Sequence, residues 1–120
     1  MRPLVASTED ASTAEKESNW LMCDAWTPGL LSIQVNTYNQ VGDPVVTFTV
    51  YTTLDDPNDP SNPVDVNNMT WLPIDNVDFV SANTSAQGYS AFTPRYVKLV
   101  QHTGPGSATI TICQAGSVTL

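Results

Sequence analysis

The sequence predicts an all-β fold, an antiparallel β-sandwich of jelly-roll type with an extended N-terminal arm. Three observations carry that expectation. Thr and Val number 15 and 13 of the 120 residues, and both are β-branched, which suits a pleated strand and disfavours a helix. Nine Pro and six Gly cut the chain into short pieces. Apolar residues recur with period two in several windows, and no window of about ten residues fits a helical period.

The elements follow in order. Residues 1–19 are rich in Ser, Thr, Ala and Glu and have no apolar periodicity, so alone in water they should be disordered or weakly helical. Such an arm is expected to be held by its own domain or by a neighbouring chain. Arg2, Leu4 and Val5 are its basic and apolar anchors before Lys16, which makes them its candidate partner-binding residues. The sandwich domain is expected over 20–120. Trp20–Trp26 reads as a first strand, stopped by Thr27-Pro28-Gly29. Leu31, Ile33 and Val35 then share one face, with Ser32, Gln34 and Asn36 on the other. After a turn over residues 39–44, Val46, Phe48 and Val50 point inward.

Residues 55–63 hold three Pro and no aliphatic side chain, and form a long loop. Met69–Ile74 and Val77–Val80 read as short strands or edges, and Ala82–Ser90 as polar loop. Arg95–Gln101 and Ala108–Gln114 are strong strands. The Gly104-Pro105-Gly106 connector between them predicts a β-hairpin. Seven or eight strands at this spacing, divided by turn chemistry, are most economically arranged as two packed sheets.

Charge narrows the function. Twelve acidic residues against four basic ones give −8. The cations Arg2, Lys16, Arg95 and Lys98 are too few and too scattered to neutralise a run of phosphates or coat an anionic bilayer, so neither nucleic acid nor membrane is an expected partner. Leu4-Val5-Ala6 is too short for the apolar region of a secretory signal. Cys23 and Cys113 stand far apart with no metal-ligand spacing; they are two buried thiols, or one disulfide if their strands are neighbours. His102 is the single histidine and precedes a turn, where it reads as a solvated loop residue. No nucleophile, phosphate-loop or metalloenzyme motif occurs, so neither catalysis nor a cofactor is expected.

Three groups are candidate sites. Asp55, Asp56, Asp59 and Asp65 offer the oxygen ligands calcium favours, although Asp is equally a turn former and the order is not that of an EF-hand. Trp20, Trp26 and Trp71 could stack on a sugar ring, or pack in the core or an interface. The third is the outward strand face, where Thr, Ser, Asn and Gln replace the usual Lys and Glu. Such a face can lie against a partner without desolvating charge. The acidic residues concentrate in two segments, the arm and the 55–65 loop, and the strands between are nearly neutral.

The run Phe48–Pro57, Trp71 after a Pro-rich loop, Thr93–Leu99, His102–Ile112 and the closing Gln114-Ala115-Gly116 resemble small bacteriophage virion proteins. The resemblance spans residues 33–116. It implies a non-enzymatic β-sandwich made in the host cytoplasm and built into the virion. The expected form is a capsid decoration (cement) protein that binds the major capsid protein on the outside of the head, clusters with itself as a homotrimer and reaches neighbours through its arm. The same strands resemble, more distantly, galactose-binding-like (discoidin) sandwiches. Those imply a carbohydrate- or receptor-binding module instead, such as a tail or fibre component.

Overall fold

Among the residues that the computed structural model describes, 3–23, 31–90 and 93–114, the chain forms nine strands. They are β1 (Leu4–Glu9), β2 (Lys16–Glu17), β3 (Leu21–Met22), β4 (Leu31–Tyr38), β5 (Thr47–Thr53), β6 (Leu72–Pro73), β7 (Ala86–Ser90), β8 (Tyr96–Thr103) and β9 (Ser107–Gln114). The first sheet has the order β1-β9-β4-β7 and the second β2-β8-β5-β6, with β3 also on β8. Every pairing is antiparallel. No described residue lies in an α-helix; Val66–Asn68 and Val77–Phe79 are single 3-10 turns, capped by the Asp65 and Asn76 side chains. The chain is thus an all-β sandwich of two antiparallel sheets.

The period-two windows explain the core. Leu31, Ile33 and Val35 of β4 are enclosed, as are Ala108, Ile110 and Ile112 beside them on β9. They face Phe48 and Val50 of β5 and Val97 and Leu99 of β8 across the sandwich, with Phe79 and Ile74 closing one side. Ser32, Gln34 and Asn36 are exposed on the opposite face of β4, as expected.

Four expectations need correction. First, the described part of the 1–19 segment is not a separate arm. Leu4–Glu9 pairs residue for residue with β9, from Leu4 opposite Ile112 to Glu9 opposite Ser107. Of its inward side chains, Ala6 is too small and Thr8 too polar to continue the apolar signal that Leu4 begins. Leu4 packs against the core and Val5 is exposed on the outer face, while Arg2 lies outside the described residues.

Second, β8 and β9 do not make a hairpin. They lie in different sheets, and Gly104-Pro105-Gly106 is the corner between them. Gly104 has φ +102°, and a Cβ at Gly106 would stand 2.0 Å from the Tyr38 carbonyl oxygen, so the corner needs glycine at both places. Third, the polar stretch over 82–90 contains β7. Gly88 lies against Phe79 on its inner side, where a Cβ would come within 3.3 Å of the ring. Small inward residues left β7 without an apolar signature. Fourth, only Leu21–Met22 of the expected 20–26 strand is β within the described residues, and Val77–Phe79 is a 3-10 turn rather than a strand.

The stretch 16–23 behaves as one strand with an interruption. Lys16 and Glu17 pair with Gln101 and Val100, and Leu21 and Met22 pair with Val97 and Tyr96. Between them Ser18 holds the ladder together. Its N–H donates to the Leu99 carbonyl at 2.8 Å, and its hydroxyl accepts from the Leu99 N–H at 2.9 Å in place of a backbone oxygen. Trp20 is displaced by the same irregularity onto the outer face of the second sheet, against Trp71 and Tyr96.

Candidate functional site

The outer face of the second sheet carries the aromatic residues. Trp20 and Trp71, distant in sequence, meet edge to face with ring centroids 5.2 Å apart, and Trp20 lies 5.4 Å from the Tyr96 ring. The Lys98 ammonium sits 4.4 Å from the Trp71 ring centre and 2.9 Å from a Glu17 carboxylate oxygen. A lysine held in a nearly buried position is tolerable because both an anion and a π-face attend it. The rings are therefore occupied with one another and with Lys98, covering β8 from outside. They form a lid on the sheet rather than a row of open sugar platforms. Trp26 lies outside the described residues.

The aspartates do not converge. Asp55 accepts from the Thr70 N–H, Asp59 from the Ser61 and Asn62 N–H groups, and Asp65 from the Asn67 N–H. Asp59 and Asp65 cap their own turns, whereas Asp55 reaches a distant loop. Asp56 is different, being buried. It accepts from the Asn58 N–H at 2.8 Å, from Arg95 Nε at 2.7 Å and from the Tyr96 hydroxyl at 3.2 Å. The Asn58 backbone bond, followed by the Arg95 and Tyr96 bonds, holds its carboxyl below the ordinary carboxylate range, against the opposing effect of burial. Among the described residues no group of three or more His, Cys, Asp or Glu could hold a metal ion. Turn sequences and calcium-ligand loops draw on the same residues, and here the turns have them.

His102 is not a solvated loop residue. It lies within β8, with Nδ1 on the Glu15 carboxylate and Nε2 2.8 Å from the Thr49 hydroxyl. It ties the 10–19 segment to β5. Cys23 and Cys113 are not joined by a disulfide: Cys23 is buried below β8, whereas Cys113 is half-buried on the outer face of the first sheet. Burial pushes the Cys23 thiol up to about 11, with the nearby Arg95 charge pulling weakly the other way.

Two further surfaces stand out, the first unmarked in the sequence and the second part of the outward polar strand face expected as a candidate site. Beside the β5–β6 pairing, an open groove of about 360 Å³ is lined by Leu54, Leu72 and Pro73 with Thr52, Thr70 and Asp75. Leu54 is 73% exposed and Leu72 is 61% exposed. An exposed leucine on each side of a pairing known only in three dimensions leaves no linear signal. The second surface is a shallow depression of about 490 Å³ on the outer face of the first sheet, bordered by Gln34, Gln87, Tyr89 and Thr111. Gln87, Gly88 and Tyr89 of its lining come from β7, the strand that polar composition hides. In comparisons with known proteins, no family model matches this chain, and neither a curated protein nor a solved structure matches it.

Proposed function

We propose that this chain is a non-enzymatic structural protein of a bacteriophage virion, a decoration or cement protein that binds the major capsid protein on the outside of the head. The single observation that carries the proposal is the leucine-lined groove at the β5–β6 border. Large aliphatic side chains facing water beside one another mark a protein contact more often than a bland surface. Pro73 lies in the edge strand β6 and removes a backbone donor there, so the partner meets the groove through side chains rather than by extending the sheet. The local likeness of residues 33–116 to small virion proteins supplies the class of partner.

The jelly-roll reading belongs to the same proposal. If β2 and β3 count as one interrupted strand, eight strands divide between the two sheets in the order that jelly-roll folds use. The first, eighth, third and sixth lie together, as do the second, seventh, fourth and fifth. That architecture recurs in virion proteins and in lectins, so it supports the fold and does not choose between them. In this reading the protein is made in the host cytoplasm and assembles as a homotrimer, and Leu4 and Val5 contribute as part of the edge strand of the first sheet rather than as a docking arm.

The test is incorporation. Purified protein is mixed with heads that lack it, sedimented, and compared with a Leu54→Asp/Leu72→Asp variant whose circular dichroism and melting temperature match the parent. Saturable co-sedimentation of the parent, lost in the variant, is the expected result. Absence of parent binding to heads overturns the proposal, and mass in solution reports the trimer.

A further inference from the structure

We propose a second, independent binding site on the outer face of the first sheet, one that takes a neutral oligosaccharide. The geometry is a run of cross-strand rows. Tyr89 of β7 stands opposite Ser32 of β4, and in the next row Gln87 stands opposite Gln34, which in turn stands opposite Thr111 of β9. Asn36 extends the field along β4 into an adjoining hollow shared with Gln34 and Gln87. Rows on one face recur about every 7 Å along a strand, and neighbouring strands lie about 4.8 Å apart. The field is therefore an extended floor for more than one sugar ring, and its volume of about 490 Å³ lies in the range of small-molecule sites.

The chemistry selects the ligand. Among the described residues, no charged side chain lines the depression or the adjoining hollow. Each carboxamide offers donors and an acceptor side by side, which matches a sugar hydroxyl that gives one hydrogen bond and receives another. The carboxamides of Gln34, Asn36 and Gln87 hydrogen-bond to no other described residue, in contrast to Ser7 and Thr109 next to them, which bond one another at 2.9 Å. Tyr89, 57% exposed at the edge of the field, presents a ring against which the C–H face of a pyranose can lie. Pro3, Ser32, Ile33, Gly88, Ile112 and Cys113 complete the lining, so a few amides and hydroxyls stand on a largely apolar floor, the usual make-up of a small-molecule site. The net charge of −8 sets the field against sialylated, sulfated or uronic glycans. The aromatic lid of Trp20 and Trp71 lies on the other sheet and takes no part.

The experiment uses the full chain on an array of neutral and acidic glycans, followed by calorimetric titration of the best neutral oligosaccharide up to roughly millimolar concentration. The variants Gln34→Ala/Gln87→Ala and Tyr89→Ala alter exposed side chains, and a parent-like melting temperature confirms their fold. Binding of neutral glycans, weakened roughly tenfold or more in both variants and unchanged in Trp71→Ala, is the expected result. No neutral glycan bound, a preference for acidic glycans, or binding indifferent to both variants overturns the proposal. Co-sedimentation with heads is run on the same variants. Retention of head binding alongside lost glycan binding separates this site from the leucine groove. Loss of head binding with no glycan recognised assigns the field to the capsid contact and overturns the sugar site.

Discussion

The Thr8 hydroxyl donates to the side-chain oxygen of Gln101 across 2.8 Å, fastening the edge strand of one sheet to an inner strand of the other. Gln101 is fully buried, and its amide nitrogen donates in turn to the carbonyls of Gly104 and Gly106, each at 3.0 Å. One carboxamide thus holds β1, β8 and the corner between the sheets. Thr8→Val leaves a buried acceptor without its donor, which typically costs about 1–3 kcal/mol. Gln101→Leu removes the acceptor and both donated bonds. The Gly104 and Gly106 carbonyls keep their bonds from the Ala11 and Asp10 N–H groups, so the corner is weakened rather than stripped. Urea denaturation should rank the variants with Gln101→Leu less stable than Thr8→Val and both below the parent. Equal midpoints for all three would contradict this account.

The thiols should separate by rate. Cys113 is half-buried on a sheet face, whereas Cys23 is 1% exposed. A thiol-specific reagent added to native protein near neutral pH is expected to modify Cys113 and spare Cys23, with the second equivalent appearing only in denaturant. Mass spectrometry of the labelled peptides identifies the site. The same burial predicts a pH effect. The folded Cys23 thiol is held near 11 against an ordinary value of 9.0, so folding favours the neutral form. The contribution is complete below pH 9 and is lost as pH rises from 9 through 11, at up to about 1.4 kcal/mol per pH unit. Cys23→Ala should flatten that alkaline limb of the stability profile.

Asp56 acts at the other end of the scale. Its carboxylate is stabilised by the Asn58 N–H first, then by Arg95 and Tyr96, and Arg95 also donates to the Cys23 carbonyl at 3.2 Å. A depressed folded-state pKa adds stability above the unfolded-state value and loses it as pH falls through the folded value. The parent should therefore destabilise on acidification below about pH 4. Asp56→Asn should be less stable at neutral pH and less sensitive to acid. Thermal melts across that range give both readings at once.

The reading of the sequence succeeded where one side chain in two is large and apolar. Leu31-Ile33-Val35, Phe48-Val50 and Ile110-Ile112 declare β4, β5 and β9 because the inward positions are filled by residues that have no other reason to alternate. It failed where the inward positions are small. Ala6 and Thr8 hide β1, and Ala86 and Gly88 hide β7, because space beneath those strands is already taken, by Phe79 in the case of Gly88. The corner at Gly104–Gly106 has the composition of a hairpin turn, and only the Tyr38 and Val46 backbones pressed against it mark a change of sheet. Site residues suffered most. The Trp20–Trp71 contact and the Leu54–Leu72 groove depend on register between distant segments, which composition does not encode.

Calcium should leave the protein unmoved. The Asp55, Asp59 and Asp65 carboxylates are engaged with backbone N–H groups of their own or adjoining turns, and that of Asp56 with Arg95 and Tyr96. Cation binding would have to break those bonds and assemble ligands that now point to separate turns. Melting temperatures with millimolar-range calcium and with chelator should coincide. A rise of several degrees with calcium, absent in Asp59→Asn, would mean that the loop rearranges into a site.

Removal of residues 1–10 tests the largest departure from the expected arm. A docking arm could be deleted without harm to the domain. As a strand, the segment covers one side of β9 along the pairing Leu4–Glu9 and supplies Ala6 and Thr8 to the interior. Its loss uncovers the ladder groups of β9, opens the core beside Ile110 and Ile112, and leaves Gln101 without its Thr8 donor. The truncated chain should therefore unfold at markedly lower urea concentration. With β9 turned into an exposed edge, it should also tend to associate. A synthetic peptide of residues 1–10 added in excess should restore stability by filling the vacant place in the sheet, as strand addition does elsewhere. Rescue by that peptide, and its failure when Thr8 is replaced by a charged residue, would tie the effect to β1 itself. Unchanged stability after truncation would return the segment to the role of a detached arm.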